Sequence, residues 1–477
     1  MKKDGLKEYI NGRSCTVLGL GVSNLPLVEN LREWNFDVSV MDKKDVNELG
    51  EQALRLKAFG VDFSVADGDF NGIDGDVIFR SPGIRPDKKG IAEAVEKGAE
   101  LTSEMELFLK LTPALTFGIT GSDGKTTTTT LTGRFLEEQM RETQGKVYVG
   151  GNIGTPLLCK CGSMTEADRA VVELSSFQLM TVSASPRFAA ITNVSPNHLD
   201  WHTGMDEYIS AKKNIVGEST QRLVTNADCI ATVKIASECN GVELVLFSST
   251  KTASGVFELC PKCSTAITLS EGYITVTDKT GSRPALAVSD IQVLGRHNIE
   301  NFMTAIGLTL GQVEESVYSK VATEFLGVEH RLEFVRELSG VRYYNSSIDS
   351  SPTRTAAALS ALWDKSLVII CGGYDKNLDY APLGEAICTH GGIRTVVLTG
   401  ATGEKIGKAV REYAETHNLA GGVDTVYVKD FYDAVITAKQ KAKEGECVVL
   451  TPASASFDAF KNFDERGKTF KRIVLDF

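Results

Sequence analysis

Hydrophobic positions along the chain switch period many times. Short apolar runs bounded by Gly, Pro, Ser, Asn or Asp read as strands. The stretches between them carry apolar residues every three or four positions, as helices do. Residues 1–110 hold a first series. There "CTVLGLGVS" reads as a strand entering a tight glycine turn, "NLPLVENLREW" as a helix, "FDVSVMD" as a strand ending at Asp42, and "DVIFRSPGI" as a strand entering a Ser-Pro-Gly turn. A second series over 111–326 contains "LTFGIT", "RAVVELSSFQL", "FAAITNVSPNHLD" and "LVTNAD". Within it, the region around 240–290 ("LVLFSS", "GVFELC", "AITLSEGYITVTD") reads as a small antiparallel addition, and "LGRHNIENFMTAIGLTL" as a helix. The segment near 325–335 reads as a hinge. A third series over 327–477 has the strands "VRYYNSS", "SLVIICGG", "TVVLTG", "TVYVKD" and "ECVVLTPAS". Such alternation predicts mostly parallel sheets with sites at strand C-termini. The expected fold is α/β in three consecutive domains. The first and third are Rossmann-like; the second is P-loop ATPase-like, a parallel sheet with the small antiparallel addition.

One strand end in the second series carries chemistry. "LTFGIT" runs into Gly121-Ser-Asp-Gly-Lys-Thr-Thr127, and a helix pattern follows. Closely spaced glycines let backbone N–H groups turn inward around an anion, and the helix N-terminus adds its dipole. Lys125 then reaches the terminal phosphates of a nucleotide, and the Thr126 hydroxyl is placed for Mg²⁺. The usual pattern G-x-x-x-x-G-K-[ST] would need glycine at Ile119; the glycines fall instead at 118, 121 and 124. Other strand ends of the same series bring Glu173, Ser175, Ser176, His198 and Asp200, and the helix "GMDEYISAKKNI" brings Lys212. Parallel strands would converge these on one edge. A carboxylate, an imidazole and phosphate oxygens suit Mg²⁺. Taken singly, Glu173 reads equally as a helix cap, His198 as a turn residue and Lys212 as a solvated lysine.

Composition narrows the class. A chain of 477 residues is too long for one ordinary core, and its 42% hydrophobic and 24% charged content is that of a soluble globular protein. A net charge of -11 argues against nucleic-acid binding but leaves anionic small substrates open. No secretory leader and no run of membrane-spanning length is visible. The 10 scattered cysteines fit reduced thiols, so a cytoplasmic location without membrane insertion is expected. The lone pair Cys260-Pro-Lys-Cys263 reads as surface or turn thiols rather than a metal or redox site.

The motifs "GITGSDGKTTTTTL", "GGNIGTPL", "VVELSSFQL", "ITNVSPNHLD" with Lys212 downstream, "LGRHNIENFMTAIGL" and "EHRLE" resemble, in order and spacing, the Mur ligases of peptidoglycan synthesis. That family's loop reads G-x-x-G-[ST]-x-G-K-[ST], so the shifted glycines are a family feature. The C-terminal "TPASASFDAFKNFDERGKTF" resembles the branch that joins D-glutamate to UDP-N-acetylmuramoyl-L-alanine, and no Asn-Pro-Arg signature of the diamino-acid branch is present. The resemblance implies that ATP phosphorylates the carboxylate of the UDP substrate and that the amine of D-glutamate attacks the acyl phosphate. It implies Lys125, Glu173, His198 and Lys212 as catalytic residues. ATP would meet Gly121, Ser122, Asp123, Gly124, Lys125, Thr126, Thr127, Asn298, Asn301 and Arg331. The UDP substrate would meet Val22, Ser23, Asp42, Lys43, Ser81, Gly83, Asn152 and Ser175. D-Glutamate would meet Ser350, Lys376, Ser456 and Phe463. Two Mg²⁺ sites are implied, with Thr126, Glu173, His198 and Lys212 as ligands, Lys212 after carbamylation by CO₂. The partners expected are these small molecules only, and the chain is expected to act as a monomer.

"YYNSSIDSSPTRTAAAL" departs from the pattern. Ser346 and Ile348 stand where the family has an aspartate and a lysine that serve ATP. Asp123 stands where asparagine is commoner. Three rival readings stay open: another amino-acid adder of the family, a non-catalytic nucleotide-binding regulator, and an NAD-dependent oxidoreductase. The last has only Gly19 and Gly21 of its fingerprint, with Asn24 at the third position. Spreading ATP and D-glutamate over separate domains implies closure around the acyl phosphate. Small-angle scattering should then change when nucleotide and UDP substrate are added together, and identical profiles would refute closure. Asp349 or Arg354 is expected to take over at the departing loop. At least one of Asp349→Ala and Arg354→Ala should raise the KM for ATP several-fold; two wild-type values would end that idea.

Overall fold

The structure is a computed structural model that describes residues 5–21, 23–419 and 423–477. It divides into two compact units, one of residues 1–288 with 300–321 and one of 289–299 with 322–477.

The first unit holds two sheets. One is five-stranded and parallel: β1 (Cys15–Leu18), β2 (Val38–Asp42), β3 (Asp62–Val65), β4 (Val77–Arg80) and β5 (Glu100–Thr102), in the order β3-β2-β1-β4-β5. The order reverses at β1, so its C-terminal end opens a crevice. The other sheet is nine-stranded. It comprises β6 (Leu115–Thr120), β7 (Val147–Gly151), β8 (Arg169–Glu173), β9 (Phe188–Ile191), β10 (Arg222–Asn226), β11 (Glu243–Ser248), β12 (Thr265–Ser270), β13 (Tyr273–Asp278) and β14 (Gly281–Ala287), in the order β14-β13-β12-β11-β10-β9-β6-β8-β7. β6 lies between β9 and β8 and is the point where this order reverses.

The antiparallel addition is smaller than the sequence suggested. Only β12–β13 and β13–β14 pair antiparallel, whereas β11 ("LVLFS") pairs parallel with β10 and β12. "GVFEL" is helical, within Ala253–Leu259, because the Thr252 hydroxyl caps it by accepting from Gly255 N–H.

The second unit holds β15 (Glu333–Leu338), β16 (Val341–Asn345), β17 (Leu367–Gly372), β18 (Ile393–Thr399), β19 (Asp424–Tyr427) and β20 (Cys447–Leu450), in the order β15-β16-β20-β17-β18-β19. β15 was not anticipated: the expected hinge runs into it at Glu333. It is an antiparallel edge strand, joined to β16 by Ser339 and Gly340, both at positive φ (51° and 73°), as a two-residue hairpin turn requires. The inner strands are apolar because both faces are covered. Leu367, Ile369 and Cys371 of β17 enter one core while Val368 and Ile370 enter the other. The two-residue period of a strand thus supplies both layers.

All ten cysteines are free thiols. Cys260 and Cys263 do flank a turn, with Cys263 N–H on Cys260 O at 2.8 Å, but they are buried rather than superficial. The turn folds inward, and both thiols join the apolar core of the first unit.

Candidate active site

The phosphate-type loop lies at the end of β6, between β9 and β8. Its glycines are sterically required. Gly121 has φ 153°, and a Cβ there would lie 1.8 Å from Thr192 Oγ1. Gly124 has φ 79°, and a Cβ there would lie 2.3 Å from Asn301 Oδ1. The tip of β9 grips the loop backbone. Ser122 N–H donates to Asn193 O (3.0 Å), Asp123 N–H to Asn193 Oδ1 (2.9 Å), and Thr192 Oγ1 to Asp123 O (2.5 Å). Ser122 Oγ shares a hydrogen bond with Tyr208 Oη (3.0 Å) and donates to Ser195 O (2.9 Å). The helix Lys125–Gln139 starts at once, its first internal bond running from Thr128 N–H to Gly124 O. The N–H groups of Thr126 and Thr127 precede that bond, in the first helical turn, where the donors of an anion site lie. The Lys125 ammonium donates to the carbonyls of Gly121 (2.9 Å) and Ser122 (2.8 Å). Asp123 is exposed at the loop tip. Water therefore solvates its carboxylate, which explains how it is tolerated beside an anion site.

Glu173 ends β8, in register with Ile119 and Gly151. Only 1% of it is exposed, yet no cation pairs with it among the described residues. Its carboxylate accepts from Thr126 Oγ1 (2.8 Å) and Asn152 Nδ2 (2.8 Å). Lys212 is equally buried. Its ammonium donates to Gly121 O (2.7 Å) and lies 4.4 Å from the Tyr208 ring centre. Burial, reinforced by the Lys125 charge, drives its pKa down to about 6. His198 is exposed, in a left-handed conformation (φ 55°), with its ring edge-on to Phe177 at 5.0 Å. Although the residue is exposed overall, partial desolvation of its ring and the charges of Lys125 and Lys212, opposed by Asp200, lower its pKa, which favours the neutral, metal-binding form. A carboxylate, a threonine hydroxyl and a neutral imidazole are donor types that fit Mg²⁺, and the first two are in contact through Thr126 and Glu173.

At the first sheet, Asp42 accepts from Leu20 N–H (2.8 Å) and Lys44 N–H (3.0 Å), so it shapes the glycine turn after β1. Ser81 lies against Gly19, where a Cβ would meet its own Cβ at 3.0 Å. Lys43 and Gly83 are exposed, Ser23 is half-buried, and Val22 lies outside the described residues. Ser175 is engaged in a capping box with Gln178 at the start of the helix Ser176–Leu179. Asn301 lies beside Gly124, whereas Asn298 and Arg331 belong to the second unit.

In the second unit the loops after β16, β20 and β17 emerge from neighbouring strands and carry Ser350, Ser456 and Lys376. Lys376 is exposed, 5.5 Å above the Phe457 ring, Ser456 is buried, and Phe463 is 40% exposed. Ser346 Oγ accepts from Leu332 N–H (3.1 Å). Of the two expected substitutes, Arg354 is exposed and caps its own loop at Ile348 O (3.4 Å). Asp349 is buried and accepts from Thr451 Oγ1 (3.2 Å). Burial pushes its pKa up to about 6, against the pull of Ser346, Thr451, Arg331 and Arg354. Glu329, His330 and Asp464 also cluster within 4.8 Å, but His330 already bonds Asp464 and Asn345, and Lys471 holds Glu329. That group is a hydrogen-bonded knot.

The polar grip of Thr192, Asn193 and Tyr208 on the loop was not foreseen. The only sequence signal was two polar residues directly after an apolar strand.

Residues 119–309 match the Mur ligase middle domain and residues 330–454 the Mur ligase glutamate ligase domain. The chain belongs to the Mur ligase family. Among similar proteins are two named UDP-N-acetylmuramoylalanine–D-glutamate ligase. That of Ruminiclostridium cellulolyticum is 42% identical over 99% of this chain and 98% of its own length, and that of Acetivibrio thermocellus is 42% identical over the same shares. Solved Mur ligases share the fold at low identity. The UDP-N-acetylmuramate-alanine ligase of Thermotoga maritima has TM-score 0.54 at 17% identity, covering 97% of this chain and 99% of that one. MurF of Acinetobacter baumannii has TM-score 0.55 at 14% identity, covering 81% and 88%.

The raised Asp349 pKa makes a stability prediction for this Mur ligase. The folded state holds this proton more tightly than the unfolded chain, so the group's favourable contribution is complete below pH 3.8 and is lost as pH rises through about 6. Asp349→Asn should remove that dependence. Relative to wild type, its stability should gain roughly 3 kcal/mol between pH 4 and pH 7. Urea melts at both pH values measure this, and a pH-independent difference would contradict it.

Proposed function

We propose that this Mur ligase is an ATP-dependent amide ligase that joins D-glutamate to UDP-N-acetylmuramoyl-L-alanine in peptidoglycan biosynthesis. One observation carries the reading beyond overall similarity: the buried Glu173 carboxylate is tied through Thr126 to a phosphate loop whose glycines admit no side chain. The chemistry follows from the residues. A carboxylate is a poor electrophile, and phosphorylation gives it a leaving group. The loop N–H groups and Lys125 neutralise charge on the transferring phosphoryl group. Thr126, Glu173 and His198 would hold Mg²⁺, which when bound would supply further neutralisation. Lys212 has no carboxylate partner among the described residues, and its burial favours the uncharged amine that can add CO₂ and release a proton. The product is an anionic oxygen ligand for a second Mg²⁺.

Residues 1–110 then serve the UDP moiety through Ser23, Asp42, Lys43, Ser81 and Gly83, with Asn152 and Ser175 near the muramoyl part. Residues 111–326 serve ATP through the loop, Asn298 and Asn301, joined by Arg331. Residues 327–477 serve D-glutamate through Ser350, Lys376, Ser456 and Phe463. The Lys376 ammonium and the serine hydroxyls suit its carboxylates. The chain is read as a monomer. Ten free thiols fit a reducing cytoplasm, and among the described residues no helix is long and apolar enough to cross a membrane.

Phosphate release from ATP should require both the UDP substrate and D-glutamate, and D-glutamate alone from a panel of amino acids should support it. Lys212→Ala should lower kcat by ~100-fold or more. Release without an amino acid, or equal release with others, would refute the assignment.

A further inference from the structure

Arg466 lies in the helix Phe463–Leu475 and is 2% exposed. Its guanidinium donates to four acceptors, all neutral: Ser347 Oγ (3.0 Å), Ser347 O (2.9 Å), Ser454 O (3.0 Å) and Ala455 O (3.2 Å). Among the described residues no carboxylate pairs with it; Asp458 and Asp349 act on it only at longer range. A buried cation without a counter-charge is costly. By contrast, Lys405 and Arg342 of this unit sit at its surface in ion pairs with Asp375 and Glu337.

The acceptors of Arg466 lie on the loops that carry the candidate D-glutamate residues. Ser347 belongs to the loop of Ser350, and Ala455 adjoins Ser456. Ser347 Oγ, besides accepting from Arg466, donates to Phe463 O (2.7 Å). Tyr374 N–H donates to Ala455 O (2.8 Å), which brings in the loop of Lys376. The close approach leaves no room for a side chain at Gly373, where a Cβ would lie 2.3 Å from Ala455 O and 3.1 Å from Arg466 Nη1. One planar fork therefore ties the loops after β16 and β20, and Ala455 O carries the link on to the loop after β17.

We propose that Arg466 is the positioning residue of the acceptor amino-acid site, and that its uncompensated charge biases that site toward a dicarboxylate. This rests on the D-glutamate reading above. The guanidinium spends its donors on carbonyls and does not itself touch the substrate. Its field reaches the substrate carboxylates, and its hydrogen bonds fix Ser350, Ser456 and Lys376 relative to one another. Lysine keeps the charge but loses the fork, and glutamine loses the charge.

Steady-state kinetics of the full-length chain test this with each substrate varied in turn. Arg466→Lys should raise the KM for D-glutamate by ~10-fold and Arg466→Gln by more, with the KM values for ATP and the UDP substrate within about twofold of wild type. All three KM values rising together, or an unchanged KM for D-glutamate, would overturn the proposal. If neither variant folds by circular dichroism, Ser347→Ala removes the hydroxyl that links Arg466 to Phe463. It should raise the KM for D-glutamate about threefold, and a wild-type value would overturn the proposal. Wild-type protein without D-glutamate-dependent turnover would defeat the ligase reading itself. An active wild type with unaltered variants would defeat this inference alone.

Discussion

The grip of β9 on the phosphate loop is the constraint on which the first unit's site depends. Thr192 and Asn193 hold the backbone of Ser122 and Asp123 by hydrogen bonds, and the same threonine excludes any side chain from Gly121. The loop therefore cannot relax away from the sheet edge. Lys125 and Lys212 both donate to Gly121 O, so one carbonyl fixes two lysines. Thr126, one residue into the helix, then meets Glu173 across β6 and β8. A shift of one residue in any of the three strands would break this set, because the side-chain period of a strand is two.

Burying cations is the second theme, and lysine and arginine solve it differently. Lys212 lies under the loop with one carbonyl acceptor and an aromatic face, and its pKa falls to about 6. A flexible amine can give up its proton. Arg466 and Arg80 cannot do so readily, and each is surrounded by carbonyl oxygens instead. Arg80 reaches Phe177 O (2.9 Å) and Thr181 Oγ1 (3.0 Å) from the end of β4, and so ties the first sheet to the second. Arg466 ties the loops after β16 and β20 in the second unit. In both cases the fork geometry gives orientation as well as charge. The buried lysine and the two arginines thus differ in chemistry although all are equally hidden.

The loop after β16 shows how locally polar side chains can be satisfied. Ser346 accepts a backbone N–H from Leu332. A carboxylate lies three residues later at Asp349, buried beside Thr451. Arg354 stays in solvent on its own loop. Placement, not residue type, separates the two substitutes.

Much was legible in the order of residues alone. Strand and helix alternation, the glycine-lysine-threonine loop and the polar residues at strand ends depend on periods of two and 3.6 and on backbone sterics, which are local. They determined the α/β class and the loop, and singled out Glu173, His198 and Lys212 as candidates. Misreadings fell where a local pattern was ambiguous. "GVFEL" is short and apolar enough for either element, and a threonine cap decided for helix. "EFVREL" alternates as an edge strand does, but only its hairpin partner gives it a sheet to join. What the tertiary structure alone decided was contact between distant segments: which carbonyls receive Lys125, which side chain forbids a Cβ at Gly121, and which loops Arg466 joins. Burial and hydrogen-bond partners belong to pairs of residues far apart in the chain, so no single stretch of sequence contains them.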